Sequence, residues 1–158
     1  MAEEPQLFGT IASSAAVANG NVYIGSYDGN LYAFNAQTGS LQWKYTTGAI
    51  IYSSPAVVNG EVYVGSTDHT LYALNATTGA LLWSDTTSDQ VISSPSLANG
   101  VIYFASRDNF LYAANAQSGA ILWSYNIGLS SFCSPIVVNG MVFMGSDSGN
   151  MFAFHLPA

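Results

Sequence analysis

An all-β propeller of four blades is the fold that this sequence of 158 residues predicts, and three observations carry it. The chain repeats itself every 40 residues without slippage. Each repeat holds four short segments of strand character, bounded by turn residues. Asn-Gly, the strongest two-residue hairpin signal, recurs in one register at 19–20, 59–60, 99–100 and 139–140. Other landmarks keep the same step: Ser26, Ser66, Ser106 and Ser146, then Trp43, Trp83 and Trp123.

The second repeat shows each element in order. "SSPAVV" (53–58) reads as a short first strand. Asn59-Gly60 then turns the chain, because both central residues of a type I′ turn need φ > 0. "EVYVGS" (61–66) is the second strand, and the polar turn "TDHT" leads into "TLYALNA" (70–76). Thr78-Gly79 closes the last turn, and "ALLWSDT" (80–86) is the fourth strand. Val, Ile, Tyr, Leu and Trp are enriched in these segments, as pleated surfaces require. None sustains a 3.6-residue apolar period, so no helix is predicted. Four antiparallel strands joined by tight turns make one propeller blade, and many Ala, Gly and Ser residues beside large aromatics suit blades stacked face to face. The predicted blades are 10–47, 48–87, 88–127 and 128–158 within a single domain over 1–158.

Composition narrows the partners. Nearly half the residues are apolar and 7% are charged, which supplies a core and excludes an ordinary disordered chain. Lys44 and Arg107 stand against nine acidic residues, for a net charge of −7. Such a protein repels phosphate backbones and anionic membrane surfaces, so neither nucleic acid nor membrane is an expected partner. No apolar run approaches the length of a bilayer span. The N-terminus "MAEEPQLFG" has no basic or apolar region of a secretory signal. One cysteine, Cys133, leaves the redox compartment open.

From Ala73 the sequence reads A-L-N-A-T-T-G-A-L-L-W; the siblings are A-F-N-A-Q-T-G-S-L-Q-W from Ala33 and A-A-N-A-Q-S-G-A-I-L-W from Ala113. Asn accepts hydrogen bonds from nearby turn amides, Gly takes a positive φ, and the indole lies on flat turn backbone of the next blade. The expected structural set is Asn35, Gly39 and Trp43; Asn75, Gly79 and Trp83; Asn115, Gly119 and Trp123. Asn75-Ala76-Thr77 is also a glycosylation sequon, but the siblings read N-A-Q and the turn role accounts for the Asn. The pattern resembles the tryptophan-docking motif of the quinoprotein-like propellers, which include quinone-dependent alcohol dehydrogenases and an outer-membrane assembly lipoprotein. The resemblance covers the whole chain. It implies a propeller fold and an extracytoplasmic setting, with either a protein-binding scaffold or a quinone-dependent oxidoreductase, or a fragment of one, as the activity. A half-propeller, engineered or excised, with no function of its own is a third reading.

The fourth repeat stops before its tryptophan. By register, residues 3–8 ("EEPQLF") align with Trp43–Gly48 and are the expected outer strand of the last blade, although Glu3 replaces the tryptophan and Pro5 lacks a strand donor. Two closures follow: a four-bladed ring within one chain, or an eight-bladed ring from two chains joined head to tail as a homodimer.

The search for chemistry yields no catalytic, cofactor-binding or metal-binding residues, and no cofactor is expected. His69 and His155 fall in different repeats and at opposite ends of the blades. Asp28, Asp68 and Asp108 recur at one turn and read as turn caps. Cys133 has no base nearby in sequence logic. The quinone enzymes that the motif resembles use adjacent cysteines and a calcium carboxylate site, which this sequence lacks. Turns at one end of the blades are uniform, whereas the loops at the other end vary. A protein or peptide partner is therefore expected on the varied end, at Tyr27, Asp28, Tyr52, His69, Gln90, Arg107, Phe110 and Phe132.

Overall fold

The computed structural model describes residues 9–129 and 132–155. These form fifteen strands in four antiparallel sheets, with no helix among the described residues. The first sheet orders β1 (Ala16–Ala18), β2 (Asn21–Gly25), β3 (Asn30–Asn35) and β4 (Leu41–Thr46). The second repeats this with β5 (Ala56–Val58), β6 (Glu61–Gly65), β7 (Thr70–Asn75) and β8 (Leu81–Thr86). The third holds β9 (Ser96–Ala98), β10 (Val101–Ala105), β11 (Phe110–Asn115) and β12 (Ile121–Asn126). The fourth has three described strands, β13 (Ile136–Val138), β14 (Met141–Gly145) and β15 (Met151–His155). The outer strand expected from residues 3–8 lies outside the described residues.

The hairpin turns follow the backbone logic of the sequence. Asn19, Asn59, Asn99 and Asn139 adopt φ between 49° and 52°, each followed by a glycine with positive φ. The first strand of each sheet is shorter than its sequence suggests. Pro55 offers no N–H to a ladder, and the Ser54 N–H donates instead to Ser94 Oγ at 2.9 Å. The same bond joins Ser14 N to Ser54 Oγ and Ser94 N to Ser134 Oγ, both at 2.8 Å. A serine ladder thus ties the innermost strands β1, β5, β9 and β13 in order.

Side chains between successive sheets make three cores. Tyr23, Leu31 and Ile51 meet Val62, Val64 and Leu74 between the first two sheets. Tyr63, Leu71 and Val91 meet Ile102 and Phe104 between the second and third. Tyr103, Leu111 and Ile127 meet Val142 and Met144 between the third and fourth.

The indoles pin these interfaces from outside. Trp43 Nε1 donates to the Ala76 carbonyl at 3.0 Å and Trp83 Nε1 to that of Ala116 at 2.8 Å. Asn75 Oδ1 accepts the N–H groups of Thr77 and Thr78 at 3.0 and 2.9 Å, which shapes the turn. Gly79 (φ 72°) then lies flat under Trp43; a Cβ there would stand 2.7 Å from the indole. Each outer strand also carries a bulge at this point, a register shift opposite Ala33, Ala73 and Ala113. It re-aims the strand beside the indole.

Candidate functional site

The β2–β3, β6–β7, β10–β11 and β14–β15 turns gather at one end of the blades with the blade-to-blade connections. The carboxylates of Asp28, Asp68 and Asp108 are spent on structure. Asp28 Oδ2 accepts the Tyr32 hydroxyl at 2.6 Å, and Asp68 and Asp108 accept those of Tyr72 and Tyr112 at 2.7 Å. The other oxygen of each takes a turn N–H, from Asn30, Thr70 and Phe110. Asp68 and Asp108 reach further, accepting the N–H of Gly48 at 2.6 Å and of Ser88 at 3.1 Å from the connections that follow β4 and β8. Each aspartate clamps its turn to the following strand, and Asp68 and Asp108 also fasten the connection between sheets.

The clamp has a titration signature. Burial, then the hydrogen bond to the neighbouring aspartate, pushes Tyr32 and Tyr72 from 10.0 up to about 12; the same causes raise Tyr112. Burial acts to raise Asp28, but the Tyr32 hydroxyl and turn donors outweigh it and hold the carboxyl below 3.8. The folded state keeps the two phenolic protons where the unfolded chain loses them. Their stabilisation is whole below pH 10 and disappears as pH rises through 10 towards 12. For Asp28 it is present above pH 3.8 and lost on further acidification. Ultraviolet titration of the phenolate should show a late group of tyrosines. Asp68→Asn should bring Tyr72 back towards 10, and an unchanged Tyr72 would contradict the clamp.

Of the residues expected on this end, some meet and others do not. Tyr27 and Tyr52 pack edge to face with centroids 4.8 Å apart. Tyr27 and Asp28 line a shallow hollow of about 250 Å³ with Thr47, Ile50 and Thr67. Arg107 Nη1 donates to Gln90 Oε1 at 3.3 Å. Phe110 opens β11 and tilts against Tyr112. His69 occupies a turn position with φ 74°, where Gly29 and Gly149 stand in other blades. Phe132 is 71% exposed.

Another hollow lies away from the loop end, where the sequence singled out no site. A cleft of about 600 Å³ opens between the second and third sheets at the end carrying the uniform turns. Glu61, Tyr63, Asn99, Asn115 and Gln117 line it, and the Glu61 carboxylate accepts a short hydrogen bond from the Tyr63 hydroxyl. The only signal in the sequence was Glu61 itself, the one acid in a register otherwise filled by Asn21, Val101 and Met141.

Among the described residues no group of three His, Cys, Asp or Glu side chains is placed to hold a metal ion. Cys133 is half-buried, with its Sγ against Gly145. The residues present do not fit a quinone and its calcium ion: Asp28, Asp68 and Asp108 are engaged by tyrosines, and Arg107 is turned to Gln90.

Comparison with known proteins follows this geometry. The family model described as outer membrane protein assembly factor BamB matches residues 2–85 and 48–156. No curated protein matches. Among solved structures, BamB from Moraxella catarrhalis superposes with a TM-score of 0.82 at 20% identity, over 94% of this chain and 50% of that one. The chain thus spans half the length of that relative. The computationally designed Ika4 protein gives 0.87 at 16% identity over 98% and 96% of the two chains. A quinohemoprotein alcohol dehydrogenase from Pseudomonas putida HK5 gives 0.66 at 25% identity, over 77% of this chain and 21% of that one. No helix of the described residues is long and apolar enough to cross a membrane.

Proposed function

The chain belongs to the outer membrane protein assembly factor BamB family, and on that premise we propose that it is a non-enzymatic scaffold, working as a homodimer, that binds a protein or peptide partner at the varied loop end. The observation that carries the reading is how the polar groups are used. The carboxylates that recur at the loop end are consumed by the tyrosine clamps. That end also presents aromatic and amide surface: the Tyr27–Tyr52 pair, exposed Phe132 and the Gln90–Arg107 pair. Aromatic and Arg side chains in that arrangement are typical anchors of protein interfaces. The family's description as an assembly factor supports the same reading.

A displayed peptide library selected against the immobilised chain tests it. Tyr27→Ala and Tyr52→Ala should each weaken the selected peptides about tenfold or more. Glu61→Gln, in the cleft at the opposite end, should leave them unchanged. Selected peptides indifferent to both tyrosines would refute the loop-end site. Pyrroloquinoline quinone with calcium should give no thermal shift; a saturable shift would favour the oxidoreductase reading.

A further inference from the structure

Every blade has a leading face, turned to the preceding blade, and a trailing face, turned to the next. Three trailing-face positions recur with fixed burial. Leu31, Leu71 and Leu111 are 0% exposed, as are Ala33, Ala73 and Ala113. Tyr23, Tyr63 and Tyr103 are at most 1% exposed. The fourth blade places Met151, Ala153 and Phe143 at these positions. Met151 is 73% exposed, Ala153 is exposed and Phe143 is half-buried. Ile136, where the other blades carry Ala16, Ala56 and Ser96, is 61% exposed. Among the described residues nothing covers this apolar face.

The opposite end of the array mirrors it. Val62, Ile102 and Val142 are buried on leading faces, but their counterpart Val22 is only half-buried. Ile24 is half-buried where Val64, Phe104 and Met144 are buried, and Val17 is 71% exposed. The opening is the inner half of this blade, since Tyr32 and Phe34 on β3 are buried.

We propose that the trailing face of the fourth blade receives the leading face of the first blade of a second copy, and that two such seams close a two-chain ring of eight blades. Three internal interfaces show what covers a trailing face: a leading face of the same kind in the same register. The second copy presents that face; among the described residues the chain's own first blade does not pack against it, and the inner half of the first blade's leading face is open. The sheet count agrees. Four sheets superpose on half of the longer BamB chain, so a second copy supplies as many sheets again. A second half related by a two-fold axis covers both faces and leaves none free, so the assembly stops at two. The inference rests on the homodimer proposed above and supplies its interface.

Light scattering should give twice the 16.6 kDa of one chain. Met151→Asp and Ile136→Asp should each give the single-chain mass with the strand circular dichroism retained, and Tyr27→Ala should remain dimeric. In the unmodified protein, Met151 should resist peroxide as well as buried Met144 does. A single-chain mass for the unmodified protein, or masses growing beyond two chains, would overturn the ring. A dimer that survives Met151→Asp, or ready oxidation of Met151 within the dimer, would overturn this interface while leaving a homodimer through another surface. Neither outcome touches peptide binding at the loop end, so the two proposals fail separately.

Discussion

Trp83→Ala is expected to cost about 3–5 kcal/mol and to lower the melting temperature by roughly 10 °C. The indole lies between the second and third blades, tilted on Tyr63 with centroids 5.9 Å apart. It covers Gly119, where a Cβ would stand 2.6 Å from the ring. Truncation removes this packing at an interface that carries much of the contact between two sheets. It also withdraws the N–H that Ala116 O accepts at 2.8 Å, and the Tyr63 hydroxyl 3.2 Å away replaces it only by giving up Glu61. Trp83→Phe separates the terms: most of the ring stays and the donor goes, for about 1 kcal/mol and some packing loss. Gly119→Ala attacks the same contact from the other side, with a positive φ of 76° adding strain. Urea unfolding measures all three. A Trp83→Ala loss below about 1 kcal/mol would show that the indole covers the turn without bearing on stability.

What could be read in the repeat was what the repeat holds in common. Asn-Gly appears four times in one register, and the backbone obeys it with positive φ at each Asn and Gly. The tyrosine clamp was equally available and was missed. Asp28, Asp68 and Asp108 each have a tyrosine four residues on, and the fourth copy loses both together, with Ser148 and Phe152 in their places. Joint loss of two residues is the trace of a bond between them. The turn position shared by Gly29, His69, Asn109 and Gly149 was hidden for the opposite reason, since three residue types satisfy one left-handed conformation. Glu61 and its cleft belong to a single copy, and a periodic reading averages such features away. The bulges beside the tryptophans depend on how an outer strand bends over its neighbour, which spacing alone does not encode. Ring closure was open for a related reason: a period fixes the blade and says nothing of the angle between blades.

That angle is limited where the second strand ends, and a graded series of glycine substitutions should expose it. Gly65→Ala is expected to cost the most, about 3 kcal/mol. Its Cβ would stand 2.4 Å from the Val91 carbonyl oxygen, and backbone there cannot yield without moving the next blade. Gly25→Ala should cost about 1–3 kcal/mol, because its Cβ meets side chain only, Ile51 Cγ2 at 2.2 Å. Ile51 is fully buried, so Ile51→Ala alone costs about 2–5 kcal/mol. The double variant should fall short of the sum by about 1 kcal/mol or more, since the second change removes the atom the first collides with. The sequence contains a similar exchange in the third blade, where Ala105 stands in the glycine register and Ser131 in that of Ile51 and Val91. Gly145 completes the series. Among the described residues of one chain an added Cβ meets only Cys133 Sγ at 3.5 Å, an ordinary contact. Closed as proposed, the ring would bring Ile11 of the second copy, the register counterpart of Ile51, to that position. Gly145→Ala should therefore be neutral in the single-chain Met151→Asp background and should weaken the dimer otherwise unmodified. Dilution followed by light scattering reads the difference, and equal dimer strength with and without the added methyl would mean that the seam does not repeat the spacing of the internal blades.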